Sequence, residues 1–336
     1  MSISQELHVV FGGGAVGKAV ARELLANGKQ VRIVTRSGST RGLSGAENVA
    51  GDASKPTSTK QVCRGASVVY HCAGAPYTDW ATLLPPMQAG IIEGAAAAGA
   101  KLVVAENFYM YGPVSGSMGE DTPYQATTRK GRIRAQLAES LMQAHAKGIV
   151  RATSGRSSNF YGPDTAELGA FGGRIFYPLL AGKPVWVFGN PDTPHSYTYI
   201  EDYAKGLIIL GTHDEALGQS WHIPNAPAWT TRQILTQFFE DAGLPPRIAI
   251  FPDGAIKLLG FFNPLIHEVE EMLYESKEPF VADSSKFVRA FGDIATPLPK
   301  GIQATLNWFR THPQTRSHEK RKEQTPSFTV SITGKR

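Results

Sequence analysis

Two rhythms of apolar and polar positions alternate along the first half of the chain. Short apolar runs at Leu7–Phe11, Val31–Thr35, Ser67–Cys72, Lys101–Ala105 and Ile149–Ser154 read as buried strands. Between them, apolar residues recur at helical spacing near Lys18–Asn27, Met87–Ala98 and Arg132–His145. Ile200–Leu210 predicts another helix and Ser220–Ile223 a late strand, both returning to the same sheet. Strands alternating with helices predict an α/β fold built on a parallel sheet covered on both faces.

The turn after the first run changes this from an architecture into a binding site. Leu7–Phe11 leads into Gly12-x-Gly14-x-x-Gly17, and the helix that follows ends at Asn27-Gly28 before the second strand. The first glycine permits a tight strand-to-helix turn, the second lets backbone N–H groups approach a pyrophosphate, and the third lets helix and strand pack closely. The predicted fold is therefore a Rossmann-type doubly wound sheet with a dinucleotide held by Gly12, Gly14, Val16 and Gly17. At the end of the second strand stand Thr35, Arg36 and Ser37, with Arg41 shortly after. No carboxylate is there to take a ribose 2′-hydroxyl, and Arg36 with Ser37 suits the extra phosphate of NADP. The expected cofactor is NADP, with NAD left open.

The remainder of the chain changes character. Val185–Gly189, Arg247–Phe251 and a helix at Thr231–Asp241 carry no glycine-rich phosphate turn, and Lys257–Glu275 is amphipathic, with Phe261, Phe262, Leu265, Ile266 and Leu273 reading as core. We divide the chain into a dinucleotide-binding domain at 1–165, joined by 195–223, a smaller C-terminal α/β substrate lobe at 166–194 and 224–314, and a tail at 315–336. The 336 residues suffice for both.

Composition narrows the partners. The net charge of +5 owes much to Arg316, Lys320, Arg321, Lys322, Lys335 and Arg336 in the tail, so a nucleic-acid surface is not expected, and the tail reads as a disordered end. Cys63 and Cys72 are the two cysteines; they make no disulfide framework and no metal-ligand spacing. Neither a signal peptide nor a membrane span is legible, which predicts a cytoplasmic protein acting on a small molecule, with a homodimer left open.

Several motifs together resemble the extended short-chain dehydrogenase/reductases, the NAD(P)-dependent epimerase/dehydratase-like family, over most of the chain. Gly51-Asp52 resembles the family's adenine-contacting Asp, and His71-Cys72-Ala73-Gly74 its loop after the fourth strand, which brings Ala73 to the cofactor. Met110-Tyr111-Gly112 resembles Val-Tyr-Gly, Arg156-x-x-Asn159-x-x-Gly162-Pro163 the segment after the sixth strand, and Tyr197-x-x-Ile200-x-Asp202-x-Ala204 the helix entry beyond it. Asp52 and Asn159 join the cofactor set on this resemblance. The glycine spacing departs from the longer Gly-x-x-Gly-x-x-Gly of extended members but keeps the same phosphate-binding physics.

The resemblance implies a Ser, and a Tyr-x-x-x-Lys pair that exchanges a proton with the substrate and holds the nicotinamide ribose. Alignment on Gly112, Glu120-x-x-Pro123 and Glu139 puts Asn107 in the Ser slot, Gly131 in the Tyr slot and Ala135 in the Lys slot. The chain thus resembles an atypical subgroup lacking the pair. Candidate replacements are Asn107 as a hydrogen-bond donor to a carbonyl oxygen, Tyr109 or Tyr124 as the acid, and Lys130 beside the empty Tyr slot, though one helical step turns a side chain by roughly 100°. Packing is the competing role for both tyrosines, and a solvated helix charge that for Lys130. His195 falls where the family has an Arg and is expected at the pocket entrance; Asp202 is expected to anchor a helix.

The function expected is an NADP-dependent oxidoreductase moving a hydride to or from a carbonyl or alcohol of a small, not strongly charged substrate. The alternatives are an epimerase or dehydratase acting on a sugar-like substrate, and a non-catalytic NAD(P)-binding sensor or scaffold.

Overall fold

The computed structural model describes residues 6–314 except 41, 168–170, 253, 255–267 and 269. Arg41, the tail and most of the amphipathic stretch before Glu268 therefore lie outside the described residues.

The first half folds into one all-parallel seven-stranded sheet. In chain order within it, the strands are β1 (Leu7–Phe11), β2 (Gln30–Thr35), β3 (Glu47–Ala50), β4 (Ala66–His71), β5 (Lys101–Glu106), β6 (Arg151–Arg156) and β7 (Ser220–His222). Their spatial order is β7-β6-β5-β4-β1-β2-β3. The order reverses at β1 and β4, which opens a crevice beyond their carboxyl ends. Sequence reading places β1 without error, because a strand buried on both faces is a continuous apolar run. It omits β3, whose residues are exposed or half-buried, so that no apolar run marks them. It sets β6 two residues early, since Ile149 is apolar yet exposed and precedes the strand.

Helices α1 (Ala15–Ala26) and α6 (Ile200–Thr212) cover one face, where Ala19, Val20 and Leu24 meet Tyr203, Leu207 and Leu210 over Val10, Ile33 and Val103. The short α2 (Pro56–Val62), α3 (Trp80–Ala98) and α4 (Arg129–Ala146) cover the other through Val62, Ile91, Ala95, Leu141 and Ala144. Helix α3 starts seven residues before the predicted Met87, because Pro85 and Pro86 lie within it and hide its first turns from a reading that treats proline as a breaker. Thr128 caps α4, its side chain accepting from Gly131 N at 3.1 Å.

A second core lies in the C-terminal half. Helices α5 (Gly173–Leu180), α7 (Thr231–Asp241) and α9 (Leu298–Thr311) close around Phe176, Phe238, Phe239, Ile302 and Phe309. Each such side chain contributes on the order of 1.5–3 kcal/mol by leaving water. Helix α7 coincides with its prediction and opens on a capping box between Thr230 and Gln233. A parallel strand pair, Val185–Val187 with Ile248–Ile250, flanks this core. Between the last two helices of the core, α8 (Ser285–Phe291) departs from the expected lobe: Phe287 is buried in the sheet's own core and Phe291 packs on Trp221 with ring centroids 4.9 Å apart. Among the described residues no helix is long and apolar enough to cross a membrane.

Candidate active site

The glycine turn is built so that no side chain fits within it. Gly12 has φ +107°, and a Cβ there would lie 2.6 Å from Cys72 O and 2.8 Å from the Ala73 backbone. At Gly17 a Cβ would fall 1.9 Å from Gly12 O. The turn is anchored to the strands on both sides, Gly12 N donating to Val34 O at 3.0 Å and Cys72 N to Phe11 O at 2.9 Å. Gly14 stands at the N-cap of α1 with no side-chain cap, and no acidic residue occupies the first turn. The first N–H groups of α1, Val16 among its opening residues, and the positive end of the helix are thereby left for an anion. These residues fit a dinucleotide pyrophosphate.

The residues expected on the adenosine side have fixed positions as well. Arg36 and Ser37 are exposed at the end of β2, and among the described residues no carboxylate pairs with Arg36. Asp52 follows β3. Its carboxylate is fixed by Ser54, which donates from N at 3.0 Å and Oγ at 2.6 Å, with Lys55 3.4 Å away, and these partners hold it below the usual carboxylate range.

The catalytic side differs from the reading in two places. Lys130 is fully buried: Nζ pairs with the Glu268 carboxylate and with Glu271 at 2.9 Å, and donates to Glu268 O at 3.0 Å, while its backbone N donates to Glu271 at 2.8 Å. This lysine fastens the start of α4 to residues 268–271 and has no free ammonium for proton transfer. Tyr124 likewise accepts from Arg156, whose guanidinium is buried on Glu106 at 3.0 Å and donates to Tyr111 Oη at 2.5 Å. Tyr111 in turn meets His222 Nε2 at 2.6 Å. The Arg156 motif is thus an internal brace under the site.

Gly131, the residue expected in the Tyr slot, has no room for a side chain. A Cβ there would lie 2.5 Å from Ala126 Cβ, 2.6 Å from Tyr109 O and 2.9 Å from Thr128 Oγ1. Helix α4 rests directly on the turn after β5, and Ala135 packs against the apolar cluster of Phe108, Met110, Tyr111 and Phe280.

That close approach places Tyr109 at the centre. Its hydroxyl lies 2.9 Å from Tyr77 Oη, and Trp80 stacks on it with centroids 6.0 Å apart. Burial, reinforced by Glu275, raises the Tyr109 phenol well above its ordinary range; burial likewise raises Tyr77. Asn107 sits at the same turn, its carbonyl oxygen accepting from Tyr109 N at 3.2 Å, which leaves its amide N–H groups to donate.

Asn159, His195 and Glu275 form a linked group beside Tyr109. Asn159 Nδ2 reaches His195 Nε2 at 3.1 Å and Glu275 Oε2 at 3.4 Å, and His195 Nδ1 lies 3.2 Å from Glu275 O. His195 is buried, stacked on Phe280 and driven down to about 4, so it is neutral. Asp202 accepts twice from Thr296, N at 2.6 Å and Oγ1 at 2.7 Å, and so ties α6 to the segment entering α9. Sequence reasoning missed Glu275, since it closes a stretch read as core. Its carboxyl is buried, burial pushes it up to about 8, and Oε1 has no partner. Arg134 was missed as well. It is a half-buried guanidinium on the Trp80 ring, 4.3 Å from the centroid, with a buried Nε that makes no hydrogen bond.

A model of the NAD dependent epimerase/dehydratase family matches residues 8–223, and the chain belongs to that family. Among solved structures it is similar to MoeE5 in complex with UDP-glucose and NAD, at 20% identity over 91% of this chain and 99% of that one, TM-score 0.73. It is also similar to UDP-glucose 4-epimerase from Thermotoga maritima with UDP-glucose, at 17% identity over 91% of this chain and 99% of that one, TM-score 0.74. UDP-glucuronic acid 4-epimerase from Bacillus cereus in complex with NAD gives 17% identity over 91% and 97%, TM-score 0.73. A protein of Sinorhizobium fredii named uncharacterized protein y4nL is 22% identical over 207 residues, 56% of this chain, and the match spans 56% of that relative's length. At these identities the likeness to solved structures establishes the shared fold.

Proposed function

We propose that the chain holds a nicotinamide dinucleotide on the Gly12–Gly17 turn and catalyses hydride transfer at a carbonyl or secondary alcohol of a small substrate. The observation that carries this reading is the turn itself: Gly12 and Gly17 leave no room for a Cβ, and the helix behind them is uncapped. Gly12, Gly14, Val16, Gly17 and Ala73 would hold the phosphates and Asp52 the adenine, with Asn159 closing the far end. When bound, the nicotinamide supplies or accepts the hydride. Arg36 and Ser37 favour NADP, because a guanidinium without a carboxylate partner awaits the 2′-phosphate.

The chain's own residues supply the rest. The Asn107 amide donates to the substrate oxygen. The Tyr109–Tyr77 hydroxyl pair passes a proton to or from that oxygen, and the Glu275 carboxyl, titrating near 8, is matched to proton exchange around neutrality. Neutral His195 offers no charge to a diphosphate, which favours a substrate without one.

An epimerase or dehydratase cycle, in which the hydride returns to the substrate, is the second reading; the family and the sugar-nucleotide epimerases of the same fold favour it. Titration of the protein with NADPH and NADH, followed by nicotinamide fluorescence, tests the cofactor. Incubation with aldehydes, ketones and sugar-like alcohols then separates the two reactions. Stoichiometric loss of 340 nm absorbance marks a reductase, whereas altered product with unchanged absorbance marks the cyclic reaction. Binding of neither dinucleotide would refute the proposal; binding without turnover would leave only a sensor or scaffold.

A further inference from the structure

Four buried polar atoms without partners belong to residues grouped about the Tyr77–Tyr109 pair: Tyr274 and Glu275 act on Tyr109, Glu275 and Arg134 on Tyr77, and Arg134 on His71. The atoms are His71 Nδ1, Arg134 Nε, Tyr274 Oη and Glu275 Oε1. Buried polar groups are nearly always satisfied, so a group of neighbouring orphans indicates a ligand that satisfies them. Arg134 is the cation in this set. Glu106 lies near enough to influence it, but its carboxylate already takes Arg156 Nε at 3.0 Å. The Tyr203 hydroxyl on the same side donates to Glu106 O at 2.9 Å and Gly155 O at 3.0 Å. His71 beside it is held neutral, down to about 3, by burial and then by the Arg134 charge. No hydrogen bond or ion pair is made by Arg134 among the described residues, and burial lowers its pKa against the opposing pull of Glu106.

The guanidinium is nevertheless aimed. Its central carbon lies over the Trp80 ring, and Trp80 is fixed by its indole N–H donating to Ala75 O at 3.0 Å. A guanidinium stacked on an aromatic ring presents its edge as a two-pronged donor, the geometry that a carboxylate accepts. Leu84, Ile133, Leu137 and Met272 line the same cluster, so the surroundings suit an apolar body.

We propose that Arg134 is the receptor for a carboxylate on the substrate, and that the substrate is a small acid with an apolar or aromatic body. The inference rests on the hydride-transfer reading for the word substrate, but the anion site stands on its own geometry. The carboxylate would sit against Arg134 at one end, with the reacting oxygen at Tyr109 and Glu275 at the other. The substrate's charge is thus read from α4 and not from His195.

The test is calorimetric titration of the full chain with benzoate and with its neutral isostere benzamide, each with and without saturating NADPH, alongside NADPH titration of the same samples. Wild type is expected to bind benzoate at least about tenfold more tightly than benzamide. Arg134→Gln should reduce benzoate to the benzamide level and leave NADPH affinity unchanged, with Arg134→Lys in between because it keeps the charge and loses the fork. Unfolding midpoints verify that both variants fold. Absence of benzoate binding in wild type, equal benzoate affinity in Arg134→Gln, or loss of NADPH affinity in place of benzoate affinity would each overturn the proposal. Benzoate binding through Arg134 in a protein that takes neither dinucleotide would uphold the anion site and refute the hydride-transfer reading.

Discussion

Replacing Gly131 by alanine separates two effects of known sign. In an unconstrained helix position the change stabilises by about 1 kcal/mol, because glycine is the costlier residue there. Here the new methyl would meet Ala126 Cβ at 2.5 Å and Tyr109 O at 2.6 Å, neither of which can rotate away, and Thr128 Oγ1 at 2.9 Å. Relieving such overlap costs about 1–3 kcal/mol in a packed site. Moving the Thr128 side chain would also break its cap on Gly131 N, for about 1 kcal/mol more. The net expectation is a loss of about 1–3 kcal/mol, which lowers the thermal midpoint by several degrees in a domain of this size. Thermal and urea unfolding followed by far-ultraviolet circular dichroism measure it. A Gly131→Ala protein as stable as wild type, or more so, would refute the close approach of α4 to the Tyr109 turn. The same geometry predicts that Gly131→Tyr with Ala135→Lys does not restore the family's usual acid and base. The ring has no space, and the lysine would enter the apolar cluster of Phe108, Met110 and Phe280.

Three further outcomes follow from the same geometry. Arg36→Asp should weaken NADPH binding far more than NADH binding in fluorescence titrations, and equal losses would contradict the 2′-phosphate contact. Lys130→Met leaves Glu268 and Glu271 without their buried partner and should cost about 3 kcal/mol in urea unfolding; a change within about 0.5 kcal/mol, the range of neutral surface substitutions, would show the pairing to be unimportant. Glu275 titrates in the folded chain near 8, above its unfolded value of 4.5. The folded state therefore holds a proton that the unfolded state has released, and Glu275 lowers stability progressively as pH rises from about 4.5 to about 8. Relative to Glu275→Gln, wild type should lose stability across that window; parallel pH profiles for the two proteins would count against a buried, unpaired carboxyl.

The glycine turn was readable because it is written in consecutive residues. A strand, three glycines and a helix occupy Leu7–Ala26, and local backbone geometry alone makes the phosphate cradle. The catalytic side was not, and the reason is spatial. Arg134 and Lys130 stand one turn apart on α4, both basic and both legible as ordinary helix charges. Only the packing shows that Lys130 is neutralised by Glu268 and Glu271 while Arg134 lies on Trp80 with no carboxylate of its own. Glu275 comes to Tyr109 from 166 positions along the chain, a separation across which no spacing rule operates. Gly131 links the two halves of the argument. Its missing side chain registers in the sequence as a lost tyrosine, but in three dimensions it is what lets α4 settle onto the Tyr109 turn. With Tyr109 O only 2.6 Å and Ala126 Cβ 2.5 Å from where a Cβ would be, glycine is the residue that this contact of helix and turn accommodates without displacement.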